Sequence, residues 1–422
     1  MPRRSYGFVA ATATAILVTP MIAHAGGGAS FVGLGQLPGG ASSSRAEAVT
    51  PDGNVVIGSA VSALGTEAFR WTAQGGMIGL GDLPGGQFRS VATSVSVSGS
   101  IIVGWSASEN GSQEAFRWKE GHGMTGLGDF AGGGFASAAS ALSANGATVV
   151  GWGTHDQGTE AFRWTLITGM ERLGELPGGI FASRAMAISG NGSVIAGWGN
   201  SGIGVNEAFR WTAQTGMVGL GFVPQSLLDG SQAFDISFQA GTIVGNAWAV
   251  SGIQAMRYTD EQGMVSLGDL PGGRAQPFSF AFAVSADGRT IVGRGESVEG
   301  TRAFIWDETR GMRNLQEMLE VDFGLNLTGW QLHEARGVSA FGRTIVGFGA
   351  HGGVDEAWLV RLPDPCPADL NHDGIVGMQD LLLLLSMTGP CDDCGSCAGD
   401  LNGDCVIDTD DMIKMFALWG PC

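Results

Sequence analysis

Two short runs of acidic and amide side chains near the C-terminus share one spacing. The first run contains, in order, Asp369, Asn371, Asp373, Ile375 and Asp380. The second run contains, in order, Asp400, Asn402, Asp404, Val406 and Asp411. Side-chain oxygens at positions one, three, five and twelve, with a backbone carbonyl at position seven, are the ligands of a calcium loop. The duplicated pattern predicts two calcium ions, and the alternative is a pair of Asp-rich turns without metal.

The two runs differ at position six, where a calcium loop turns sharply. Gly374 occupies this position in the first run and Cys405 in the second. The turn favours a positive φ, which glycine adopts without strain. We therefore expect the second calcium site to be the weaker one, unless a disulfide bond holds its turn.

The net charge of the chain is −18, and much of it lies at the C-terminal end. Residues 363–422 contain eleven Asp, no Glu and a single basic residue, Lys414. Such acidity disfavours binding to nucleic acid and to anionic membranes. Bound calcium would offset part of the repulsion between these carboxylates.

All six cysteines lie in the same C-terminal region: Cys366, Cys391, Cys394, Cys397, Cys405 and Cys422. In an exported protein they are expected to form disulfide bonds, for which six cysteines allow about fifteen pairings. Two possible cysteine pairs have the same separation along the chain, and each pair encloses one copy of the acidic run. This spacing favours Cys366–Cys391 and Cys397–Cys422, which leaves Cys394 for Cys405.

The N-terminus has the composition of a secretory signal. Arg3 and Arg4 precede an apolar stretch over residues 8–18, and Ala23-His24-Ala25 is a small-x-small cleavage site. The apolar stretch is too short to span a bilayer, and no other stretch is long enough. We expect residues 1–25 to be removed and the protein to be secreted, either extracellular or at the cell surface.

The central region repeats one pattern seven times. The segment EAFRW begins at Glu67, Glu114, Glu160 and Glu207, with altered copies at Gln254, Arg302 and Glu356. Each repeat contains four strand-like pieces bounded by Gly and Pro, and the fourth piece is GLGDL. Four strands per repeat predict an all-β, seven-bladed β-propeller over residues 26–362. The last repeat lacks a fourth strand, so we expect the N-terminal strand at 31–37 to complete its blade.

The pattern also predicts contacts within and between blades. An Arg in the third piece precedes an acid in the fourth by twelve residues, as in Arg70 and Asp82 or Arg117 and Asp129. We expect these to form cross-strand ion pairs with a structural role. Phe69 and Trp71 alternate onto one face of their strand and are expected to pack between blades.

The repeats contain no recognisable catalytic motif and no Cys. His122, His155, His333 and His351 are scattered, and most are expected to be solvated loop residues. Trp105, Trp152 and Trp198 follow the glycine of the second strand in three successive repeats. They are candidates for binding carbohydrate or peptide. Packing between blades is the alternative.

The repeat unit resembles the HAF repeat family of extracellular proteins over residues 30–362. The segment at 314–336 also resembles the closing repeat of that family. The resemblance implies an extracytoplasmic location and no established reaction, and it assigns no catalytic residues.

The duplicated loops, each followed by an apolar helix, resemble a type I dockerin over residues 367–420. The resemblance implies calcium-dependent folding and docking to a cohesin-type partner. The residues it implicates in partner recognition are Met378, Gln379, Thr409 and Asp410. The first loop lacks the Ser/Thr pair of that family near positions ten and eleven, which leaves the identity of the partner open.

These features divide the chain into a signal peptide (1–25), a propeller (26–362) and a dockerin-like calcium domain (363–422). The leading hypothesis is a secreted, non-catalytic binding or scaffold protein. One alternative is an extracellular polysaccharide-degrading enzyme, which would need two carboxylates near the channel. Glu47, Asp235 and Glu334 are the acids expected there. Another alternative is a structural surface or matrix protein.

Overall fold

The structure is a computed structural model of the chain. It describes residues 28–421 except 42, 204, 227, 274–276, 365, 372–374 and 392–396. The expected signal peptide lies outside the described residues. The described residues between 29 and 363 form one compact unit, and those from 364 onward belong to a second one.

The strands of the first unit are short and mostly four to nine residues long. Up to blade three they are β1 (Ser30–Gly35), β2 (Ser44–Val49), β3 (Val55–Val61), β4 (Thr66–Thr72), β5 (Gly76–Gly79), β6 (Ser90–Val95), β7 (Ile101–Ser108), β8 (Gly111–Lys119), β9 (Gly123–Gly128), β10 (Ser137–Leu142), β11 (Thr148–His155), β12 (Gly158–Thr165) and β13 (Gly169–Arg172). From blade four they are β14 (Ser183–Ile188), β15 (Val194–Asn200), β16 (Asn206–Thr212), β17 (Gly216–Gly219), β18 (Ser231–Ile236), β19 (Ile243–Ala249), β20 (Gly252–Thr259), β21 (Gly263–Gly268), β22 (Phe280–Val284), β23 (Ile291–Ser297), β24 (Gly300–Asp307), β25 (Gly311–Asn314), helix α1 (Leu315–Val321), β26 (Trp330–Val338), β27 (Thr344–His351) and β28 (Val354–Arg361).

These strands form seven antiparallel four-stranded sheets, which confirms the predicted seven-bladed β-propeller. Six blades take four consecutive strands each, from β2–β5 to β22–β25. The remaining sheet has the order β1-β28-β27-β26, and β1 pairs antiparallel with β28, so that Phe31 faces Val360. The first strands of neighbouring blades contact each other around the ring. They are therefore the innermost strands and surround the central channel.

The EAFRW segments form the third strand of their blades, and their alternation separates two kinds of contact. Phe69, Phe116, Phe162 and Phe209 are fully buried, as are the alanines that precede them. Phe69 and Ala68 belong to different apolar clusters, one on each side of their blade. The prediction that the aromatic residues pack between blades is therefore confirmed.

The predicted register of the fourth strand is wrong. In the structure this strand begins at the Gly-Met before GLGDL and ends within its first three residues, so that Arg70 faces Ile78 and Arg117 faces Thr125. The acids lie beyond the strand instead, in the loop that leads to the next blade. Asp129, for example, accepts hydrogen bonds from the backbone N–H groups of Phe130 (2.8 Å) and Ala136 (2.7 Å). The constant spacing of twelve residues reflects two separate structural roles, and the predicted ion pairs do not form.

The second unit is small and duplicated. It contains β29 (Ile375–Val376), α2 (Met378–Ser386), β30 (Gly389–Pro390), β31 (Val406–Ile407), α3 (Thr409–Ala417) and β32 (Gly420–Pro421). The strand of the first copy's loop, β29, pairs with β32 after the second helix, and β30 pairs with β31. A shared core contains Ala368, Val376, Leu384, Ile407 and Met415. The two copies are thus interleaved.

This interleaving corrects the predicted disulfide pattern. Cys391 is bonded to Cys397, with 5.8 Å between their Cα atoms, so neither pairs as the spacing favoured. The N–H of Cys391 also donates to the carbonyl of Cys405 in the second loop. The end of the first copy therefore lies against the second loop and is not closed back onto its own beginning. Cys366 and Cys405 each take part in a disulfide bond as well, while Cys394 and Cys422 lie outside the described residues.

Candidate functional site

The blades are joined by one buried serine at six of the seven junctions. Each serine lies at the start of the first strand of a blade, or directly before it in the case of Ser279, and bonds to the preceding blade. The hydroxyl of Ser137 donates to the carbonyl of Gly128 (2.5 Å) and accepts from the N–H of Ala115 (3.0 Å). The other five are Ser44, Ser90, Ser183, Ser231 and Ser279. These serines fix the first strands relative to one another and therefore position every side chain that faces the channel.

The first strand of every blade contains a β-bulge at the same place. In blade two, for instance, the register shifts between Ala92 and Ser94, which leaves Thr93 unpaired. A bulge leaves the extra residue out of the ladder and re-aims its side chain. Two residues before the bulge, Val91 pairs with Trp105 of the second strand, so these two lie on the same face.

Two of these positions in each blade lie on the innermost strand and the third lies beside them on the second strand, and we call the three positions together the inner ring. The first-strand position contributes Arg45, Val91, Ala138, Arg184, Gln232, Phe280 and Glu334. The bulge contributes Glu47, Thr93, Ser140, Met186, Phe234, Phe282 and Arg336. The second-strand position contributes Ser59, Trp105, Trp152, Trp198, Asn246, Arg294 and Phe348. These residue types differ from blade to blade, whereas the residue before the second-strand position is glycine in all seven.

The three predicted tryptophans lie in one sector of the inner ring, across blades two to four. All three are half-buried. The guanidinium of Arg184 lies 4.3 Å from the ring centre of Trp152 in the preceding blade and 5.5 Å from that of Trp198 in its own blade. Arg89 lies 4.8 Å from the ring centre of Trp105. Each of the three rings thus lies against an arginine side chain, and the contact between Arg184 and Trp152 itself joins blades three and four.

The opposite sector, across blades six, seven and one, is a network of ion pairs. Arg294 contacts Glu334 (2.7 Å), and Arg336 contacts both Glu47 (2.9 Å) and Glu334 (3.5 Å). Burial lowers the pKa of the Arg336 guanidinium, but the two carboxylates outweigh this effect and raise it above its usual value. The two glutamates expected near the channel are therefore engaged by arginines.

Asp235, the third acid expected there, follows the bulge of blade five. Its carboxylate accepts from the N–H of Val284 in the next blade (2.9 Å) and from that of Ile236 (2.8 Å). Burial raises the pKa of Asp235 to about 7, which these hydrogen bonds only partly oppose. Its contacts join two blades, as those of the serines do.

His155 is buried, contrary to the expectation of a solvated loop residue. Its ring packs edge-on against Phe181 at 5.1 Å, and its Nε2 lies 3.2 Å from the carboxylate of Glu160. The N–H of Gln157 donates to its Nδ1 (3.2 Å). Burial also raises the pKa of nearby Glu175 to about 7. The spacing along the chain could not indicate that His155 is buried, because its ring is covered by Phe181 from the loop before β14.

The predicted calcium loops lie in the second unit, except that Asp373 is outside the described residues. Asp380 and Asp411 are fully buried and cap the loops from the first turn of the helices. Asp380 accepts from the N–H of Asn371 (3.0 Å), and Asp411 accepts from those of Leu401 (2.7 Å) and Asn402. Positions three and twelve of each loop are therefore drawn together.

The remaining loop residues are placed as follows. Asp369 is buried, Asn371 is half-buried, and Ile375 and Val406 are exposed. Asp400 accepts from the N–H groups of Gly403, Asp404 and Cys405. Cys405 has the positive φ expected at position six, +73°. Among the described residues, no group of three or more His, Cys, Asp or Glu side chains is close enough to hold a metal ion.

The four residues implicated in partner recognition are all exposed. Met378 and Gln379 begin α2, whereas Thr409 and Asp410 begin α3. Both helices also expose large apolar side chains, among them Leu382 (60%), Ile413 (65%) and Phe416 (55%). Phe416 stacks on Trp419 with 5.5 Å between ring centres. No helix of the described residues is both long and apolar enough to cross a bilayer.

No protein-family model and no curated protein matches the chain. Among solved structures, the chain is similar to TolB from Acinetobacter baumannii, with 12% identity over 71% of this chain and 76% of that one (TM-score 0.38). It is similar to a putative TolB from Agrobacterium tumefaciens, with 12% identity over 80% and 98% (TM-score 0.38). It is also similar to an oligogalacturonate lyase in complex with manganese, with 10% identity over 80% and 97% (TM-score 0.48). At these identities and scores, the similarities carry no functional assignment.

Proposed function

We propose that the chain is a secreted binding protein with two separate recognition sites. The inner ring of the propeller binds a carbohydrate or peptide ligand through its tryptophan-bearing sector. The C-terminal unit is a dockerin-like domain that folds around two calcium ions and docks to a cohesin-type partner. The protein would thereby hold a ligand at a place set by that partner.

One observation carries the propeller part of this proposal. The residues that build the blades recur: the glycine before the inner ring in all seven repeats, the junction serine at six of the seven junctions, and the buried phenylalanine of the third strand in five repeats. The inner-ring residues vary more among the seven blades, and those of blades two to four include three half-buried indole rings. A purely structural ring of blades has no need of such variety, whereas a binding surface does. Indole rings beside polar groups suit carbohydrate and peptide ligands.

The propeller site is tested with the full-length protein on an array of immobilised oligosaccharides and peptides. We expect binding that is lost when Trp105, Trp152 and Trp198 are all changed to Ala. The matched control is Trp419→Ala in the C-terminal unit, which should leave this binding unchanged. If the triple variant keeps its circular dichroism spectrum and binds every compound as well as the wild type does, the site is not in this sector.

Calcium binding is supported by the buried carboxylates at position twelve of both loops. A buried carboxylate needs partners, and each of these two holds the backbone of a loop whose other side-chain oxygens suit a hard cation. Asp369, Asn371, Asp373 and Asp380 would hold one ion with the carbonyl of Ile375. Asp400, Asn402, Asp404 and Asp411 would hold the other with the carbonyl of Val406. The disulfide bond of Cys405 supports the turn that glycine would otherwise make.

Calorimetric titration of calcium into the metal-free, oxidised full-length protein tests this part. We expect two ions to bind, and one of them to be lost in Asp380→Ala and the other in Asp411→Ala. Asp229→Ala, at an exposed site in the propeller, is the control and should retain both. Absence of any binding to the wild type would mean that disulfide bonds and the apolar core alone hold the two loops.

Docking is tested by binding of a cohesin-type domain in calcium and in chelator. The exposed positions Met378, Gln379, Thr409 and Asp410, with the apolar side chains beside them on α2 and α3, would form the contact surface. We expect Met378→Asp with Thr409→Asp to abolish docking, and Leu64→Asp on an exposed propeller loop to leave it unchanged. Equal binding with and without calcium would contradict the proposal.

Export is tested by N-terminal sequencing of protein recovered from the culture medium. Cleavage after Ala25 should give a mature chain that begins at Gly26. Recovery of the chain from inside the cell with residues 1–25 still attached would contradict secretion.

A further inference from the structure

Arg184 differs from the other arginines of the inner ring in its partners. Arg45 pairs with Asp355 at 2.5 Å, while Arg294 and Arg336 pair with the glutamates of their sector. Arg184 contacts two indole rings, and within the described part of the chain no carboxylate pairs with it. Among the described residues, the guanidinium of Arg89 also lies over an indole ring, that of Trp105, and forms no ion pair, although the backbone N–H of Arg89 donates to Asp82.

The surroundings of Arg184 make a counter-charge favourable. Its side chain is half-buried between blades three and four, and burial lowers the pKa of its guanidinium. A partly desolvated cation is destabilised unless an anion or hydrogen-bond acceptors replace the lost water. The inner ring carries four arginines and two glutamates, although the net charge of the chain is −18. The positive excess at these positions is therefore local, and among the described residues no ion pair neutralises the guanidinium of Arg184.

We propose that the tryptophan sector of the inner ring binds an acidic saccharide, with Arg184 contacting a sugar carboxylate. The guanidinium offers a planar fork that pairs with a carboxylate through two parallel hydrogen bonds. Trp152 and Trp198 supply the apolar surface on either side of it, against which the C–H face of a sugar ring packs. Arg89 and Trp105 extend the same arrangement into blade two, as an oligosaccharide with charges on successive residues requires. This inference rests on the proposed ligand site and names the class of its ligand.

A saccharide is favoured over an acidic peptide by the density of aromatic surface. Three indole rings accompany two unpaired guanidinium groups in this sector. A peptide rich in Asp or Glu has little rigid apolar surface to place against such rings, whereas each uronic acid residue has both a carboxylate and an apolar ring face. The acidic peptide is therefore the competitor in the test.

The test uses the full-length protein and three probes: a uronic acid hexasaccharide, the same hexasaccharide with methyl-esterified carboxylates, and hexaglutamate. Affinities are measured calorimetrically for the wild type, Arg184→Met, Arg184→Lys and the control Arg289→Met, an exposed arginine. We expect the wild type to prefer the acid over the ester by about tenfold or more, which one lost charged hydrogen-bonded contact would account for. In Arg184→Met this preference should fall to about one. Arg184→Lys should keep part of it, and Arg289→Met all of it.

Several outcomes would overturn the inference, and they are separable from failure of the proposed function. Equal affinity of the wild type for acid and ester, with both lost in Trp152→Ala, would leave the ligand site standing but refute the role of Arg184. An unchanged preference for the acid in Arg184→Met would do the same. Hexaglutamate binding as tightly as the uronate would refute the choice of a saccharide. Failure of the wild type to bind any of the three would count against the uronate, and the array described above would then decide whether the site binds anything.

Discussion

The junction serines make a quantitative prediction about what holds the blades together. Ser137 and the backbone of Ala115 are fully buried, and the serine hydroxyl joins the N–H of Ala115 to the carbonyl of Gly128. Changing Ser137 to Ala removes one oxygen and leaves the shape of the site almost intact. Both backbone groups lose a partner in a place that water does not reach.

The expected cost follows from these two groups. A buried polar group without its hydrogen bond costs about 1–3 kcal/mol. Taking the lower half of that range for each group, because local relaxation recovers part of it, Ser137→Ala should lower the free energy of unfolding by about 2–4 kcal/mol. Ser193, whose hydroxyl bonds to Asn191 at an exposed turn, is the matched control. Its change to Ala should cost at most about 0.5 kcal/mol.

The assay is equilibrium unfolding in urea, followed by tryptophan fluorescence and by far-ultraviolet circular dichroism on the full-length protein. The comparison requires that the two signals give the same unfolding transition. It also requires that the free energy of unfolding falls with urea concentration at the same slope in every variant. If Ser137→Ala unfolds within about 0.5 kcal/mol of the wild type, as its control should, then the hydroxyl is not what ties the blades together.

Three other predictions concern the channel. Asp235 has a raised pKa in the folded protein, so between about pH 4 and 7 the folded state binds more protons than the unfolded state. The stability of the wild type relative to Asp235→Asn should therefore fall as the pH rises through that window in urea titrations. Arg336→Met and Glu47→Gln should show a coupling of about 0.5–3 kcal/mol in a double-mutant cycle. Gly104→Ala should cost at least about 2 kcal/mol in the same assay, because its Cβ would overlap the carbonyl oxygen of Val91.

Each of these has an outcome that contradicts it. A difference between the wild type and Asp235→Asn that does not change with pH would mean that Asp235 titrates normally. A coupling energy near zero between Arg336 and Glu47 would mean that their ion pair is screened by solvent and adds nothing to stability. Gly134→Ala is the control for the effect of replacing a glycine without a steric clash, because a Cβ there would meet no atom within 4 Å. If it is as destabilising as Gly104→Ala, then close approach of the first strand is not the cause.

The seven blades could be predicted because each of the seven repeats contains the same strand pattern and is separate evidence for it. EAFRW alternates between a buried aromatic face and a small face, and seven copies at a nearly constant spacing all indicate the same strand. The register within a blade was not predictable in the same way. The separation between Arg70 and Asp82 recurs in several repeats. A constant separation does not show whether two residues contact each other or have separate structural roles.

The site was predictable only where a residue type stands out in the chain. Trp105, Trp152 and Trp198 were identified because tryptophan is conspicuous at a repeated position. Arg184 was missed, because its two aromatic partners lie in two different blades and no spacing along the chain joins them. The disulfide bond between Cys391 and Cys397 was missed for a related reason, since the two copies of the C-terminal unit are interleaved in space.

The glycine before the inner ring has a consequence for how this protein could change over time. At this position the first strand passes so close that a side chain on any of the seven glycines would meet a backbone carbonyl. The adjoining inner-ring residues carry no such restriction and already include arginine, tryptophan, asparagine, serine and phenylalanine. Glycines that cannot be replaced thus stand directly beside positions that accept many residue types. New ligand preferences could evolve, or be selected from a library randomised at the second-strand positions of blades one to five, without disturbing the fold.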